Sequence, residues 1–129
     1  MAWQFVGERD ITTPRLNLLV IRSEFPVQTV GFYELLGLNF QEEKHGKGPV
    51  HWAAEVDSLV IEVYPAQSFE EVDGTTRIGF EVDDVKSVLA LLKDQCDVVS
   101  NRKQTQWGLR AVVKDPDGRS VELVHEPES

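Results

Sequence analysis

One half of this chain repeats in the other. The stretch Val60-Ile61-Glu62-Val63-Tyr64 returns as Ser120-Val121-Glu122-Leu123-Val124, with 60 residues separating Glu62 from Glu122. The same displacement carries Arg77, which opens the alternating run Ile78-Gly79-Phe80-Glu81-Val82, back onto Asn17, which opens Leu18-Leu19-Val20-Ile21. A repeat of this length is one supersecondary unit used twice, and it restricts the fold to arrangements in which two equivalent units bury each other.

Each unit reads as strand, helix and three strands. In the first, residues 15–21 are apolar enough for a strand. Ser23, Glu24 and Pro26 then announce a helix over 27–36, whose Phe32, Leu35 and Leu36 share a face and which Gly37 stops. Strands follow at 38–44, 50–56 and 59–64, with a glycine-rich loop holding His45 and a turn at Asp57-Ser58. In the second unit, Asp83 or Asp84 caps a helix with a Val85, Val88, Leu89, Leu92 stripe. Strands at 97–103, 107–114 and 119–125 complete it, the last two joined by Asp115-Pro116-Asp117-Gly118. Residues 1–14 form an arm outside the repeat, and residues 66–75 are a polar, mobile link between module one (15–65) and module two (76–125) of a single domain over 15–129. The expected class is α+β: two βαβββ modules in tandem, forming a curved half-barrel with a concave ligand cup.

Strand parity states what lines that cup. Leu16, Leu18 and Val20, with Leu59, Ile61 and Val63, are expected under the helices. Asn17, Leu19 and Ile21, with Val60, Glu62 and Tyr64, are expected in the cup. From the second unit the cup takes Arg77, Gly79 and Glu81, with Ser120, Glu122 and Val124.

Composition narrows the function. Thirteen basic against 22 acidic residues leave a formal charge of −9, which argues against nucleic acid and anionic membrane surfaces as partners. The single cysteine, Cys96, allows no internal disulfide and reads as a buried structural thiol. With no basic region leading into an apolar run at the start, and no apolar stretch of membrane-spanning length, the expected location is cytoplasmic.

The sequence resembles the vicinal oxygen chelate superfamily of glyoxalase I, bleomycin-resistance proteins and extradiol dioxygenases. The resemblance rests on Phe32-Tyr33-Glu34-Leu35-Leu36-Gly37-Leu38, on Val60-Ile61-Glu62-Val63-Tyr64-Pro65, and on the run from Trp107-Gly108 through Asp115-Pro116-Asp117-Gly118 to Val121-Glu122-Leu123, and it spans residues 15–125. It implies a site built from the first and last strand of each module, here Asn17, Glu62, Arg77 and Glu122. Glyoxalase I resembles a histidine, glutamate, histidine, glutamate set at those places, and this chain keeps only the glutamates. An arginine has no lone pair to give a metal and competes with it for carboxylates, so Arg77 is expected between the two glutamates as the site's structural cation in place of a metal. The resemblance to bleomycin-resistance proteins therefore implies a homodimer that binds a small organic molecule without a cofactor, against Glu62, Arg77 and Glu122. Asn17, Tyr64, Trp107 and His51 are further ligand-contact candidates; for the aromatic residues core packing is the competing expectation, and for His51 a surface position. The alternative is a metal-dependent lyase or dioxygenase, with a divalent ion on Glu62 and Glu122. Whether any reaction is catalysed stays open at the level of sequence.

Overall fold

The computed structural model describes residues 13–106 and 108–126, and of residues 100–102 the backbone alone. The expected arm falls almost wholly outside these residues, as does Trp107. The element order is β1 (Leu18–Ser23), α1 (Pro26–Leu35), β2 (Phe40–Glu43), β3 (His51–Val56), β4 (Leu59–Pro65), β5 (Ile78–Glu81), α2 (Val85–Leu92), β6 (Val98–Thr105), β7 (Gly108–Lys114) and β8 (Ser120–His125). The strands form two four-stranded sheets, ordered β1-β4-β3-β2 and β5-β8-β7-β6. In each sheet the first strand lies parallel to the last, and the other pairings are antiparallel. Each module is thus the βαβββ unit the repeat predicts.

The helices form where the stripes place them. Pro26 occupies the first turn of α1, where its missing N–H costs nothing. The expected caps at Ser23 and Glu24 are displaced: the N-cap is Phe25, and Ser23 Oγ instead accepts from the Phe25 N–H at 2.9 Å. Asp84 caps α2, accepting from the Lys86 N–H at 3.1 Å. One core joins both modules: Ile21, Phe32, Tyr33 and Val63 from the first pack with Val85, Leu92, Val113 and Leu123 from the second. Burial of that apolar surface is what joins the halves.

Parity holds in every strand flanking the cup except β1. Leu19 and Ile21 belong to the core, while Leu18 is exposed and Val20 half-buried. The pairing explains the inversion. Leu19 sits beside Ile61 and Ile78 beside Val121, so 59 residues separate the first strands of the two modules. Sixty separate the last strands, because Val56 to Leu59 is a tighter turn than Asp115 to Arg119. The extra residue in the second hairpin shifts everything after it. The partner of Arg77 in the other module is therefore Leu18, and Asn17 falls on the opposite parity, just before β1.

The link between modules is also more fixed than its composition suggests. It contains a short 3-10 turn at Phe69–Glu71, and Asp73 pairs with Arg119 at 2.6 Å.

Candidate functional site

Two side-chain clusters occupy the faces of the sheets turned away from the core. The first centres on Glu122 of β8. Arg110 on β7, diagonal to Glu122 across the β7–β8 ladder, donates from Nε to Oε1 at 2.6 Å, and its Nη2 contacts the same oxygen. Arg77, just ahead of β5, places Nη2 3.3 Å from Oε2. Both carboxylate oxygens are thereby committed to guanidinium groups, a charge-assisted arrangement. Arg77 keeps 61 % of its side chain exposed, so its remaining donors face solvent.

The second cluster surrounds Glu62 of β4. His51, which opens β3, is 1 % exposed, and its Nε2 lies 3.9 Å from Glu62 Oε2 and 3.3 Å from Glu43 Oε1. The His51 ring stacks flat on Tyr64, centroids 4.2 Å apart and planes 6° from parallel. Arg22 of β1 lies 5.4 Å from the centroid of the same tyrosine ring. Because β1 and β3 flank β4 on opposite sides, the Tyr64 ring is covered by Arg22 and His51 rather than offered to a flat ligand.

Of the residues expected in the site, the structure brings Arg77 and Glu122 together and, separately, His51, Tyr64 and Glu62. Among the described residues Glu62 and Arg77 share no ion pair, so Arg77 does not bridge the two glutamates as the sequence suggests. Asn17 is exposed and off the cup face; its carbonyl accepts from the Val60 N–H at 2.9 Å, which starts the β1–β4 ladder. Trp52 packs against the core, and His125 accepts from the Val85 N–H at 2.9 Å, helping to seat α2. Cys96 is half-buried, and burial, then the neighbouring Asp97, raises its thiol above the usual range, as suits a structural cysteine. An open groove of about 800 Å³ lies elsewhere, at the start of α2, lined by Asp83, Asp84, Lys86, Gln104 and His125 among others.

The sequence reading missed Arg110, Glu43 and Arg119. The signal for Arg110 was present: at a displacement of 59, His51 falls on Arg110, and each reaches the glutamate of its own module. Arg119 is fully buried and gathers Asp115, Asp117 and Asp73, at 3.0, 3.3 and 2.6 Å, with the Arg22 carbonyl as a further acceptor. Burial alone would lower its affinity for a proton, but the hydrogen bonds to Asp73 and Asp115 outweigh that and hold it above its usual value. This network ties the two modules together and meets the second cluster through the backbone of Arg22.

Solved structures share this architecture. TnmS3, an antibiotic binding protein from Streptomyces sp. CB03234, matches with a TM-score of 0.70 at 19% identity, over 88% of this chain and 97% of that one. A glyoxalase/bleomycin resistance protein/dioxygenase family enzyme from Burkholderia phytofirmans PsJN matches with a TM-score of 0.69 at 17% identity, over 88% and 99%. The chain has the vicinal oxygen chelate fold. Oxidase ChaP-H2 gives a TM-score of 0.71 at 14% identity, over 91% and 97% of the two chains. No protein-family model and no curated sequence matches the chain. At these identities the likeness is one of fold. In the vicinal oxygen chelate frame, the first and last strands of the two modules carry Leu18, Glu62, Arg77 and Glu122 at equivalent places. Leu18 thus stands where Asn17 was expected, and an apolar side chain can contribute nothing to a polar site.

Among the described residues the two outward faces carry opposite charge. On module two, Arg77, Lys103, Arg110 and Lys114 stand against Glu81 and Glu122. On module one, Arg22 stands against Glu43, Glu55 and Glu62. Among the described residues no helix is long and apolar enough to cross a membrane.

Proposed function

We propose that this chain is a small-molecule-binding protein of the glyoxalase/bleomycin-resistance type, holding an organic ligand on the concave face of module two without a metal between Glu62 and Glu122. The observation that carries this reading is the pair of guanidinium groups on Glu122. They occupy both of the oxygens a metal would need and leave Arg77 with unspent donors toward solvent. The local surplus of cations reverses the preference that the overall charge of −9 suggests. The ligand this face favours carries a carboxylate or another planar anion, which a guanidinium holds through paired hydrogen bonds. Glu122 positions the arginines, and Glu62 belongs to the opposing, acidic wall.

That wall comes from a second copy of the chain in this reading. An acidic module-one face suits the basic module-two face of a partner, and pairing them would close a cup that neither face forms alone. The protein then works as a homodimer in the cytoplasm.

The test is a thermal-shift screen at low salt with matched anionic, neutral and cationic aromatic compounds, run on the wild type, Arg77→Ala and Glu122→Ala. Anionic compounds are expected to raise the melting temperature of the wild type and to lose that effect in Arg77→Ala. Stabilisation confined to cationic compounds, or unchanged by both substitutions, would overturn the reading.

A further inference from the structure

We propose that Glu43, His45 and His51, at the open end of the β2–β3 hairpin, form a binding site for a zinc-class divalent cation, apart from the glutamates on the last strands. The three offer ligand atoms all within 4.8 Å of one another. Both imidazoles converge on one oxygen: His51 Nε2 lies 3.3 Å and His45 Nε2 3.5 Å from Glu43 Oε1. Ligands about 2.0–2.1 Å from a tetrahedral zinc are separated from each other by roughly 3.3–3.4 Å. The two separations from Glu43 are close to an edge of such a tetrahedron, and the two histidine nitrogens, within 4.8 Å of each other, need only a small approach to complete the third.

The hydrogen bonding of His51 points the same way. Its Nδ1 is 3.2 Å from the Pro49 carbonyl, which can only accept, so Nδ1 carries the hydrogen of that bond. In the neutral ring this leaves Nε2 with a lone pair, and that atom is buried without a hydrogen-bond partner. Glu43 Oε1 is near it, but not along the direction in which a ring N–H would donate. Nε2 is thus left buried and unsatisfied beside two carboxylates, Glu43 and Glu62, and a bound cation would satisfy all three groups. A backbone carbonyl on one ring nitrogen with the other presented to a shared point is how protein scaffolds orient a ligating histidine. Tyr64, stacked on the ring, holds its plane.

The local sequence suits this task. Glu43 and His51 are paired across β2 and β3, so the ladder itself sets their spacing. His45 follows β2, 74 % exposed, in a turn closed by the Gly48 N–H to His45 carbonyl bond at 2.9 Å. Gly46, at φ 59°, adopts the left-handed backbone that turn requires. Two imidazoles and one carboxylate favour zinc, nickel, copper or cobalt over magnesium or calcium, which prefer oxygen shells. Glu62 is a further carboxylate beside this group, 3.9 Å from His51 Nε2.

Chelator-treated protein titrated with Zn2+ by calorimetry, beside His45→Ala and Glu43→Gln, tests the site. Both substitutions fall on solvent-accessible side chains, so the variants should fold, and circular dichroism checks that they do. The wild type is expected to bind one equivalent, with a higher melting temperature in its presence, and each variant to bind at least about tenfold more weakly. Co2+ in place of Zn2+ should give the intense visible bands of four-coordinate cobalt in the wild type alone. Absence of one-to-one binding by the wild type, or undiminished affinity in both variants, would overturn the proposal. Neither result touches the organic-ligand reading, because that screen reports on Arg77 and Glu122.

Discussion

Arg119 Nη1 lies 3.0 Å from Asp115 Oδ2, and neither side chain is accessible to solvent. The pair stands where β8 begins, and the same guanidinium reaches Asp73 in the link and the backbone of Arg22 in module one. Removing it strands Asp115 and Asp117, both nearly or fully buried at the side chain. Arg119→Met is expected to cost about 3–5 kcal/mol, the range for breaking one side of a buried pair. The midpoint of denaturant unfolding measures it.

Thr29 feeds the same network from α1. Its hydroxyl donates to Asp117 Oδ2 at 3.0 Å and meets Ser23 Oγ at 2.9 Å, with no exposed surface. Thr29→Val keeps the shape and removes the donor. A loss of about 1–3 kcal/mol is expected, smaller when Arg119 is already absent, because the two share Asp117. A double-mutant cycle by equilibrium unfolding reads both numbers.

Tyr33 sets the alkaline limit. Burial first, then the charge of Asp115, pushes its phenol well above the ordinary 10.0, and its hydroxyl donates to Asp115 Oδ2 at 2.7 Å. The unfolded chain releases that proton near pH 10 while the folded chain keeps it. The contribution is therefore whole below pH 10 and falls by about 1.4 kcal/mol per pH unit above it. Tyr33→Phe should be less stable at neutral pH by about 1.5–3 kcal/mol and lose less with rising pH than the wild type. Urea midpoints of both proteins between pH 8 and pH 11 (roughly the window the linkage defines) make the comparison.

Arg77→Ala tests the opposite expectation. A buried charge bridge between two glutamates would make this substitution severe. The structure shows an exposed side chain paired with Glu122 alone among the described residues, a kind of pair worth about 0–1 kcal/mol. Unfolding free energy should barely change, while binding of an anionic aromatic compound should be lost. A stability loss as large as that of Arg119→Met would count against the site as drawn.

The contrast between Arg77 and Arg119 shows where sequence was sufficient. Alternation in β5 and β8 put Glu122 and Arg77 on one face, and the Val85, Val88, Leu89, Leu92 stripe located α2, because side-chain direction in a regular element follows from its own periodicity. Both modules, their element order and the fold class were legible on that ground. The face of β1 was not. Its short apolar run reads equally well in either register, and the displacement of 60 borrowed from the last strands favoured the wrong one. Only the pairing of Leu19 with Ile61 decides it, through a turn one residue longer in the second module.

Residue identity and period alone determined two βαβββ units with an apolar core between them. Tertiary structure decided which charges meet: Arg119 with two buried aspartates and the partly exposed Asp73, Arg110 and Arg77 on Glu122, and Glu43 with two histidines at a hairpin end. Hydrophobic pattern is a local property that each segment carries with it. An ion pair joins residues as distant as Asp73 and Arg119, and nothing in either segment names the other until the chain has closed.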